Sequence, residues 1–375
     1  MLNTVNLPTV VVIPCLNEQD VLADACKSLG FGLGKQFEMT NKFLFIVDNG
    51  STDGTLDIAK EIQYNSPCDM VFIGHEVERG YIPPRHKGNL LAKELAKSFG
   101  WKDEDVFILQ ADADTMYSVG YLDAMRSASY LQGPGVLIES CSEYPPTFVK
   151  AYPRYIEACG IADQPFAKWF NDNMYDVVVD DKTCGYRLQD YLDWGGHVRE
   201  YDLDGEEIYA ETTRLYIRAI AAGARRFRLE TATAYHSIRK VLENPLLELA
   251  TTGFPRAVSW KTKWLENHKA TNTITEICAN LEHPEVQRAI NIRRRHTIAL
   301  FGVLPLHIAQ TLNEDLVSRF PEFIKKLASM LPKRNQLTLS SHPGAFLTDV
   351  LYQLDQYDDT IVNIIAKQMA NEEFE

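Results

Sequence analysis

The sequence predicts an α/β protein in which a doubly wound, mostly parallel sheet is followed by an α-helical C-terminal region. Short apolar, β-branched runs alternate with amphipathic helical patterns over residues 1–240, as in consecutive βαβ units. From about Lys240 these runs disappear, glycine becomes rare and long helical patterns dominate. We therefore expect a sheet domain at 1–240 and a helical region at 241–375.

The predicted strands are apolar runs, several of which end at polar or turn-forming residues. Strands of a parallel sheet are almost continuously apolar because helices cover both of its faces. The runs that fit this description lie at 9–14, 43–47, 70–74, 106–110, 136–139 and 224–229.

The predicted helices follow these runs. The patterns lie before Leu29, at 55–62, at 85–99, after Val119 and at 205–223. In the last of these, Glu206 and Glu207 are expected in the first turn, where the helix dipole favours acidic side chains.

Charge and hydropathy exclude two classes of partner. The net charge of -13 argues against a nucleic acid as the main partner, because phosphate backbones bind basic surfaces. The apolar stretch at 297–312 is shorter than the roughly 20 residues of a membrane span, and it contains Pro305 and His307. We expect a buried helix there and no transmembrane segment.

Cysteine usage and the N-terminus indicate a cytoplasmic protein. The seven cysteines include no Cys-x-x-Cys pair, and several, such as Cys15 and Cys278, lie in apolar runs, as buried free thiols do. The first residues, MLNTVNLPTV, lack the basic region and the long apolar core of a secretory signal.

A basic run, Arg293-Arg294-Arg295-His296, stands out in the helical region. We interpret it as a solvated helix face. The alternative is contact with a polar acceptor or peripheral contact with a membrane surface.

Two carboxylates, Asp112 and Asp114, follow the fourth predicted strand. In an open α/β sheet, ligands bind at the carboxyl ends of the strands. Carboxylate oxygens are ligands for hard divalent cations, so this pair is a candidate metal site. An acidic turn without a ligand is the alternative.

Four motifs together resemble family 2 glycosyltransferases, which have the GT-A fold. VVIPCLNE, FIVDNGSTDGT, PPRHKG and ADAD occur in the order and spacing of that family. The resemblance covers roughly residues 8–240 and includes the later GEE and YHS elements. It implies transfer of a sugar from a nucleotide-diphosphate sugar to an acceptor hydroxyl, with Mn2+ or Mg2+ as cofactor.

The resemblance also assigns residues to the nucleotide-sugar donor. Glu18 would approach the ribose, although a first-turn helix acid is an equal alternative. Asp48 would bind the base, since an acid ending an apolar strand otherwise lacks a partner. Arg85 would bind the diphosphate at a helix N-terminus, where His86 departs from the family pattern. The donor residues are Pro14, Asn17, Glu18, Asp48, Arg85 and Asp112.

The remaining assignments concern the metal, the base and the acceptor. The implied metal ligands are Asp112, Asp114 and His236. An inverting enzyme needs an acid beside the acceptor hydroxyl, and the family uses the second acid of a Glu-Asp pair that opens a helix. Here that acid is Glu207, with Glu206 as the fallback. The implied acceptor-side residues are Gly196 and His197.

The expected function is therefore metal-dependent glycosyl transfer with inversion, from a UDP-sugar to a saccharide, lipid-linked or small-molecule hydroxyl. A retaining GT-A enzyme is one alternative. A binding module that holds a nucleotide-sugar without turnover is another.

Overall fold

A computed structural model describes most of the chain, which folds into two compact units. The first unit comprises Met1–Tyr144, Val179–Arg199 and Ala210–Ser237, and the second comprises Pro145–Val178, Glu200–Tyr209 and Ile238–Glu375. Two segments that precede residue 240 thus fall in the second unit, and the boundary at residue 240 stays a prediction. The described residues are 6–36, 40–67, 69–166, 176–251, 262, 264–266, 273–312, 317–354 and 359–371.

The first unit contains one sheet, with strand order β3-β2-β1-β4-β7-β6-β8-β5. The strands are β1 Thr9–Cys15, β2 Lys42–Asp48, β3 Val71–His75, β4 Phe107–Gln110, β5 Met116–Tyr117, β6 Val136–Glu143, β7 Cys184–Arg187 and β8 Arg225–Tyr235. The sheet is mixed. β1 is parallel to β2 and β4, β2 to β3, and β6 to β8, whereas β7 is antiparallel to β4 and β6, and β5 to β8.

This mixed sheet with flanking helices confirms the predicted α/β fold, and more of its strand pairs are parallel than antiparallel. The first four predicted strands, and the two later ones, correspond to β1–β4, β6 and β8. The sequence did not predict β5 and β7. They have two and four residues, which is too short for an apolar pattern to be distinguished from a loop.

Helices are numbered along the whole chain, and those of the first unit flank the sheet. They are α1 Leu22–Ser28, α2 Thr55–Tyr64, α3 Ile82–Phe99, α4 Tyr121–Gln132, α7 Leu188–Asp193 and α8 Glu211–Ala221. A 3₁₀ turn at Asp181–Thr183 directly precedes β7. The last predicted helix therefore begins at residue 211 instead of 205.

The two faces of the sheet bury separate apolar cores, which explains why its central strands are apolar throughout. In β1, Val11 and Ile13 pack in one core with residues of α1, α2 and α4. Val10 and Val12 pack in the other core with residues of α3, α7 and α8. Successive side chains of a strand point to opposite faces, so a doubly covered strand needs apolar residues at both parities.

The second unit is helical over its described residues, as expected for the C-terminal region. A π-helical turn, Ala299–Val303, joins two of its helices. The helices are α5 Pro146–Ala151, α6 Pro153–Asp163, α9 Arg239–Glu243, α10 Pro245–Thr251, α11 Ile274–Ala279, α12 Pro284–Ile298, α13 Leu304–Leu312, α14 Glu322–Ala328, α15 Gln336–Ser341, α16 Gly344–Leu354 and α17 Asp359–Asn371.

The basic run in α12 is not a solvated face, so that expectation is wrong. Arg293 is buried and binds Asp163 through Nε and NH2, at 2.7 and 2.5 Å. His296 is also buried, with Nδ1 3.0 Å from the carbonyl oxygen of Ala250. These side chains join helices within the unit, and the membrane-surface alternative loses the exposed basic face on which it depended.

The apolar stretch at 297–312 forms the π-helical turn and α13 within the helical unit. His307 is buried there and its Nε2 lies 3.1 Å from Asp349 Oδ2. Over the described residues, the protein has no helix with the length and apolar character that crossing a membrane requires.

Candidate active site

The carboxyl ends of three neighbouring parallel strands form one edge of the sheet. β1 lies between β2 and β4, and Cys15 at the end of β1 is opposite Asp48 at the end of β2. On the other side Val12 pairs with Gln110, the last residue of β4, so Asp112 follows at the same edge. This is the edge at which open α/β sheets bind ligands.

Asp48 is buried, and its carboxylate is bound within its own turn. Oδ2 accepts a hydrogen bond from the Gly50 N–H at 3.0 Å, and Oδ1 accepts one from the Ser51 N–H at 3.1 Å. Gly50 has φ of 77°, which glycine adopts without strain. Asp48 therefore has partners within its own turn, contrary to expectation, and its base-binding role stays a prediction.

The loop after β1 is joined to the loop after β2. Pro14 is half-buried and still part of β1. Asn17 has φ of 58°, and its Oδ1 accepts a hydrogen bond from the Thr52 N–H at 2.8 Å. The Glu18 N–H donates to Thr55 Oγ1 at 2.8 Å, which positions this half-buried acid at the start of the loop. The backbone here is thus fixed beside the edge, whereas contact with ribose stays a prediction.

Arg85 lies in the first turn of α3, and its guanidinium binds the end of β4. NH2 donates to Asp112 Oδ1 at 2.9 Å, and NH1 donates to Gln110 Oε1 at 3.2 Å. The residue is only 4% exposed. Arg85 is therefore brought beside Asp112, as the motif order predicts, but its charge faces protein oxygens.

Two further carboxylates surround Arg85. Glu211 Oε1, in the first turn of α8, lies 3.7 Å from Arg85 Nε. Burial opposes the charge of Arg85, but Asp181, Asp112 and Glu211 together raise its pKa above the usual range. Burial, followed by Glu211, raises the pKa of Asp181 to about 7, against the opposing effect of Arg85. Asp181 Oδ1 is buried with no hydrogen-bond partner among the described residues.

A chain of hydrogen bonds connects Gln110 to Asp181. Gln110 Nε2 donates to Asn89 Oδ1 at 2.8 Å, so Asn89 turns Nδ2 toward His197 Nδ1, 3.4 Å away. This assigns the His197 proton to Nε2, which lies 3.1 Å from Thr212 Oγ1. The Thr212 hydroxyl in turn hydrogen-bonds Asp181. These hydrogen bonds fix the orientation of every polar side chain that connects Gln110 to Asp181.

Asp112 and Asp114 lie in the turn that follows β4, and both are half-buried. The Asp112 side chain is 33% exposed, and its backbone N–H donates to Tyr117 Oη at 3.1 Å. Tyr117 belongs to β5, which pairs with the end of β8, and His236 follows β8. The sheet therefore connects the turn that carries both acids to the strand end that carries the histidine.

His236 is held by its Nδ1, which lies 3.0 Å from Ser142 Oγ. Burial and then Lys182 lower the pKa of His236 to about 4, although Asp180 acts the other way. The imidazole is therefore neutral near pH 7, with Nε2 outside the contact with Ser142. Ser142 Oγ also donates to Asp180 Oδ2 at 3.3 Å, and Lys182 forms an ion pair with the same oxygen.

The predicted metal ligands do not form a preassembled three-ligand cluster. Within the part of the chain that the structure describes, no three His, Cys, Asp or Glu side chains are grouped to hold an ion. Asp112 and Asp114 nevertheless offer carboxylates beside one another in the chain, and Arg85 fixes only one oxygen of Asp112. Mg2+ is commonly held by one or two carboxylates plus substrate phosphates and water, so this donor set fits such an ion.

The predicted acceptor-side residues are packed against α3 and α7. Gly196 has φ of 65°, and a Cβ there would lie 3.2 Å from Tyr191 Oη and 3.3 Å from His86 Cε1. His86 Nδ1 lies 2.6 Å from the same Tyr191 oxygen. His197 is 3% exposed, and burial, followed by Arg85, lowers its pKa well below the usual value. Contact of either residue with an acceptor stays a prediction.

Glu206 and Glu207 do not open a helix, and that prediction is wrong. Both are half-buried residues of the second unit, and Glu207 forms an isolated antiparallel bridge with Tyr201. Asp202 Oδ1 accepts hydrogen bonds from the Glu206 N–H at 2.8 Å and the Asp204 N–H at 3.0 Å. Such side-chain bonds to the backbone compete with helix formation. Their catalytic role stays a prediction.

Several residues of the site were not identified from the sequence. The charged triplet DDK before TCGYR is a visible signal, because charges beside a short apolar run need partners. The others are uncharged, or charged residues of a helix whose start was misplaced. The missed residues are Asn89, Gln110, Ser142, Asp180, Asp181, Lys182, Glu211 and Thr212.

A family model supports the motif-based resemblance. Residues 10–125 match the model described as Glycosyl transferase family 2. This segment contains β1 to β4 with Asp48, Arg85, Asp112 and Asp114. Over these residues the chain is therefore similar to glycosyl transferase family 2, as the motif order predicts. No curated protein matches the chain.

The chain is also similar to solved structures, at low sequence identity and with low TM-scores. A mannosyltransferase, PcManGT from Pyrobaculum calidifontis, in complex with GDP-Man and Mn2+ is 13% identical, with a TM-score of 0.44 over 93% of this chain and 87% of that one. S. aureus TarS 1-349 in complex with UDP-GlcNAc is 15% identical, with a TM-score of 0.43 over 93% and 91%. Glucosyl-3-phosphoglycerate synthase from Mycobacterium tuberculosis, with Mn2+, UDP-Glc and phosphoglyceric acid, is 15% identical, with a TM-score of 0.38 over 65% and 75%.

Proposed function

We propose that this protein is a glycosyltransferase that moves a sugar from a UDP-sugar to an acceptor hydroxyl, with a divalent metal and with inversion at the anomeric carbon. The observation that carries the proposal is the position of the Asp112 carboxylate between buried Arg85 and solvent. One of its carboxylate oxygens is fixed by buried Arg85, while the side chain stays 33% exposed at the ligand-binding edge of the sheet. An acid oriented from the protein side and open on the other side suits contact with a cation and its substrate.

Asp112, Asp114 and His236 would hold the metal ion, Mn2+ or Mg2+. Carboxylate oxygens suit either ion, and a neutral imidazole suits Mn2+ better than Mg2+. When bound, the ion supplies positive charge to the diphosphate that leaves with the nucleotide. Donor binding would thus supply phosphate oxygens that the protein site lacks, which agrees with the incomplete ligand set of the protein alone.

The nucleotide would lie across the ends of β1 and β2. Asp48 is fixed there by the N–H groups of Gly50 and Ser51. Asn17 and Glu18 are fixed in the adjoining loop. We assign the base to Asp48 and the ribose to Glu18.

Three acids are candidates for the base that removes the acceptor proton: Glu207, Glu206 and Asp181. The resemblance implies Glu207 because the family places its base where a helix opens. In the structure, the acid at the start of that helix is Glu211. Asp181 is the acid we favour, because its pKa is raised to about 7, and a general base works best with a pKa near the working pH. Its carboxylate is oriented by Thr212 and lies in the same charge cluster as Arg85.

The proposal is tested by a thermal-shift screen of nucleotide-sugars with Mn2+ or with EDTA. A ligand that binds only the native state raises its stability by mass action. We expect at least one UDP-sugar to raise the melting temperature with Mn2+ and not with EDTA. If no nucleotide, diphosphate or nucleotide-sugar shifts the melting temperature in either condition, the proposed donor site is wrong.

Turnover and stereochemistry test the remaining parts. The anomeric configuration of the product distinguishes inversion from retention. In a retaining enzyme neither acid would act as this base. Glu207→Gln and Asp181→Asn would then each leave substantial activity. Binding of the donor without any transfer or donor hydrolysis would favour the non-catalytic binding module.

A further inference from the structure

The predicted diphosphate ligand, Arg85, is directed at protein oxygens and not at the place of the anionic donor. Its guanidinium is 4% exposed and bound to Asp112 and Gln110. Asp112 itself is a negative group on the open side. A diphosphate placed there would meet carboxylates unless a further cation lies close to Asp112.

Strand pairing brings Asp112 and Lys182 to the same end of one ladder. β7 runs antiparallel to β4, and the last pair of this ladder is Leu109 with Gly185. Asp112 lies two residues after the end of β4, and Lys182 lies two residues before the start of β7. The 3₁₀ turn Asp181–Thr183 keeps Lys182 directly before β7.

The contacts of Lys182 connect its ammonium group to the surroundings of His236. It forms an ion pair with Asp180, and its side chain is 15% exposed. Asp180 also binds Ser142, which contacts His236 Nδ1. Burial opposes the charge of Lys182, but Asp180 and then Asp112 raise its pKa, and Lys182 in turn lowers the pKa of His236. The Lys182 amine therefore lies in the same electrostatic environment as Asp112 and His236, two of the predicted metal ligands.

We propose that Lys182 binds the distal phosphate of the nucleotide diphosphate and stabilises it as a leaving group. This inference rests on the proposed function. In the transfer step, the acceptor oxygen forms a bond to the anomeric carbon as the bond from that carbon to the distal phosphate oxygen breaks. The electron pair of the broken bond stays on that oxygen, the acceptor proton goes to the base, and Lys182 keeps its proton and donates a hydrogen bond.

Asp180 has the part of a positioning residue in this arrangement. Its side chain is 39% exposed, and it holds the ammonium group through an oxygen that Ser142 also contacts. An ion pair this exposed contributes little to stability by itself. Its effect would be to direct Lys182 toward the phosphate, so removal of Asp180 and removal of Lys182 have different consequences.

The test is calorimetric titration of UDP and UMP into wild type, Lys182→Gln and Lys102→Gln, each with Mn2+ and with EDTA. Lys102 is an exposed lysine of the first unit that pairs with Glu104, so its variant matches the change in charge. A charged hydrogen bond corresponds to roughly 10- to 100-fold in affinity. We expect Lys182→Gln to weaken UDP by about that factor and UMP, which lacks the distal phosphate, by less than about threefold. Lys102→Gln should match wild type.

Two further variants keep the result interpretable. Lys182→Arg retains the charge and should retain most of the UDP affinity. Asp180→Asn should change UDP affinity less than Lys182→Gln does. If Lys182 served only to pair with Asp180, both single variants would lose stability equally and neither would discriminate UDP from UMP, and that result would overturn the proposal.

Failure of this proposal is distinct from failure of the proposed function. Equal UDP affinity of wild type and Lys182→Gln would remove the role of Lys182 and leave the donor site in place. If wild type bound neither UDP nor GDP in any condition, both proposals would be wrong.

Discussion

Arg85 donates a hydrogen bond to Asp112 across 2.9 Å, and through it the interior of the sheet unit fixes the acid at the ligand-binding edge. The same guanidinium lies 3.7 Å from Glu211 and interacts with Asp181. One buried cation thus compensates three carboxylates that belong to different segments of the chain. Its role is to orient and neutralise acids.

Arg85→Met should destabilise the protein strongly. Removing one partner of a buried ionic cluster leaves uncompensated charge, and such changes cost about 3–5 kcal/mol. We expect a loss of this size in the free energy of unfolding, measured by urea denaturation, together with loss of UDP binding. The matched control is Lys97→Met, an exposed cation of the same helix, which should stay within about 0.5 kcal/mol of wild type. A difference below about 1 kcal/mol for Arg85→Met would show that these acids do not depend on Arg85.

Asp114→Asn should abolish metal-dependent binding of the donor and leave the fold intact. The change is nearly isosteric, but a neutral amide is a much weaker ligand for Mn2+ than a carboxylate. The measurement is the UDP-induced thermal shift with Mn2+ minus that with EDTA. Asp57→Asn removes a charge from an exposed position on α2 and should keep the full metal-dependent shift. Undiminished Mn2+ dependence in Asp114→Asn would exclude Asp114 as a ligand.

Asp181 should make stability depend on pH in a defined window. Its pKa is about 7 in the folded protein against an ordinary value of 3.8, so the folded state holds the proton more tightly. The stability from this group is fully present below about pH 4 and is lost as pH rises toward 7. We expect Asp181→Asn, which cannot ionise, to gain stability relative to wild type as pH rises from 4 to 8.

Melting temperatures of both proteins across that range provide the measurement. A difference that stays constant with pH would show that Asp181 ionises like an ordinary carboxylate. The same variant separates two roles in catalysis, since loss of transfer with unchanged UDP affinity is expected of a base and not of a donor ligand.

The sequence predicted the parts of the fold that leave a strong periodic pattern. Strands such as β1 and β2 are apolar at odd and even positions alike because a core covers each face of the sheet. This pattern can be recognised from a few consecutive residues. The motif order also brought Arg85 and Asp112 to one place, and the structure agrees. Short strands and residues whose partners are distant in the chain left no comparable signal.

The errors have local physical causes. Asp202 binds the N–H of Glu206 inside the predicted helix and that of Asp204 just before it. Ala210, with φ of 65°, directly precedes the observed helix start. Arg293 was expected to be solvated because basic runs usually are. In the structure it is buried and pairs with Asp163, a residue far away in the chain. Lys182 became identifiable only once its ion pair with Asp180 and the pairing of β4 with β7 were known.

Gly185→Ala should disturb the sheet and the candidate site together. A Cβ at Gly185 would lie 2.4 Å from Phe107 Cζ and 2.8 Å from the carbonyl oxygen of Ile108, so β4 and β7 would have to separate. Overpacking of this kind costs about 1–3 kcal/mol. Because this ladder sets the position of Lys182 relative to Asp112, we also expect weaker binding of UDP at a temperature where the variant is fully folded.

The control for that variant is Gly160→Ala. Gly160 lies within helix α6, where an added Cβ would meet no described atom within 4 Å. Alanine is favoured over glycine inside a helix by up to about 1 kcal/mol, so this variant should be as stable as wild type or more stable. If Gly185→Ala retained both the unfolding free energy and the UDP affinity of wild type, β4 and β7 could not be packed as closely as described. The pairing that brings Lys182 and Asp112 to the same end of one ladder would then be in error, whereas the direct contact between Arg85 and Asp112 would be unaffected.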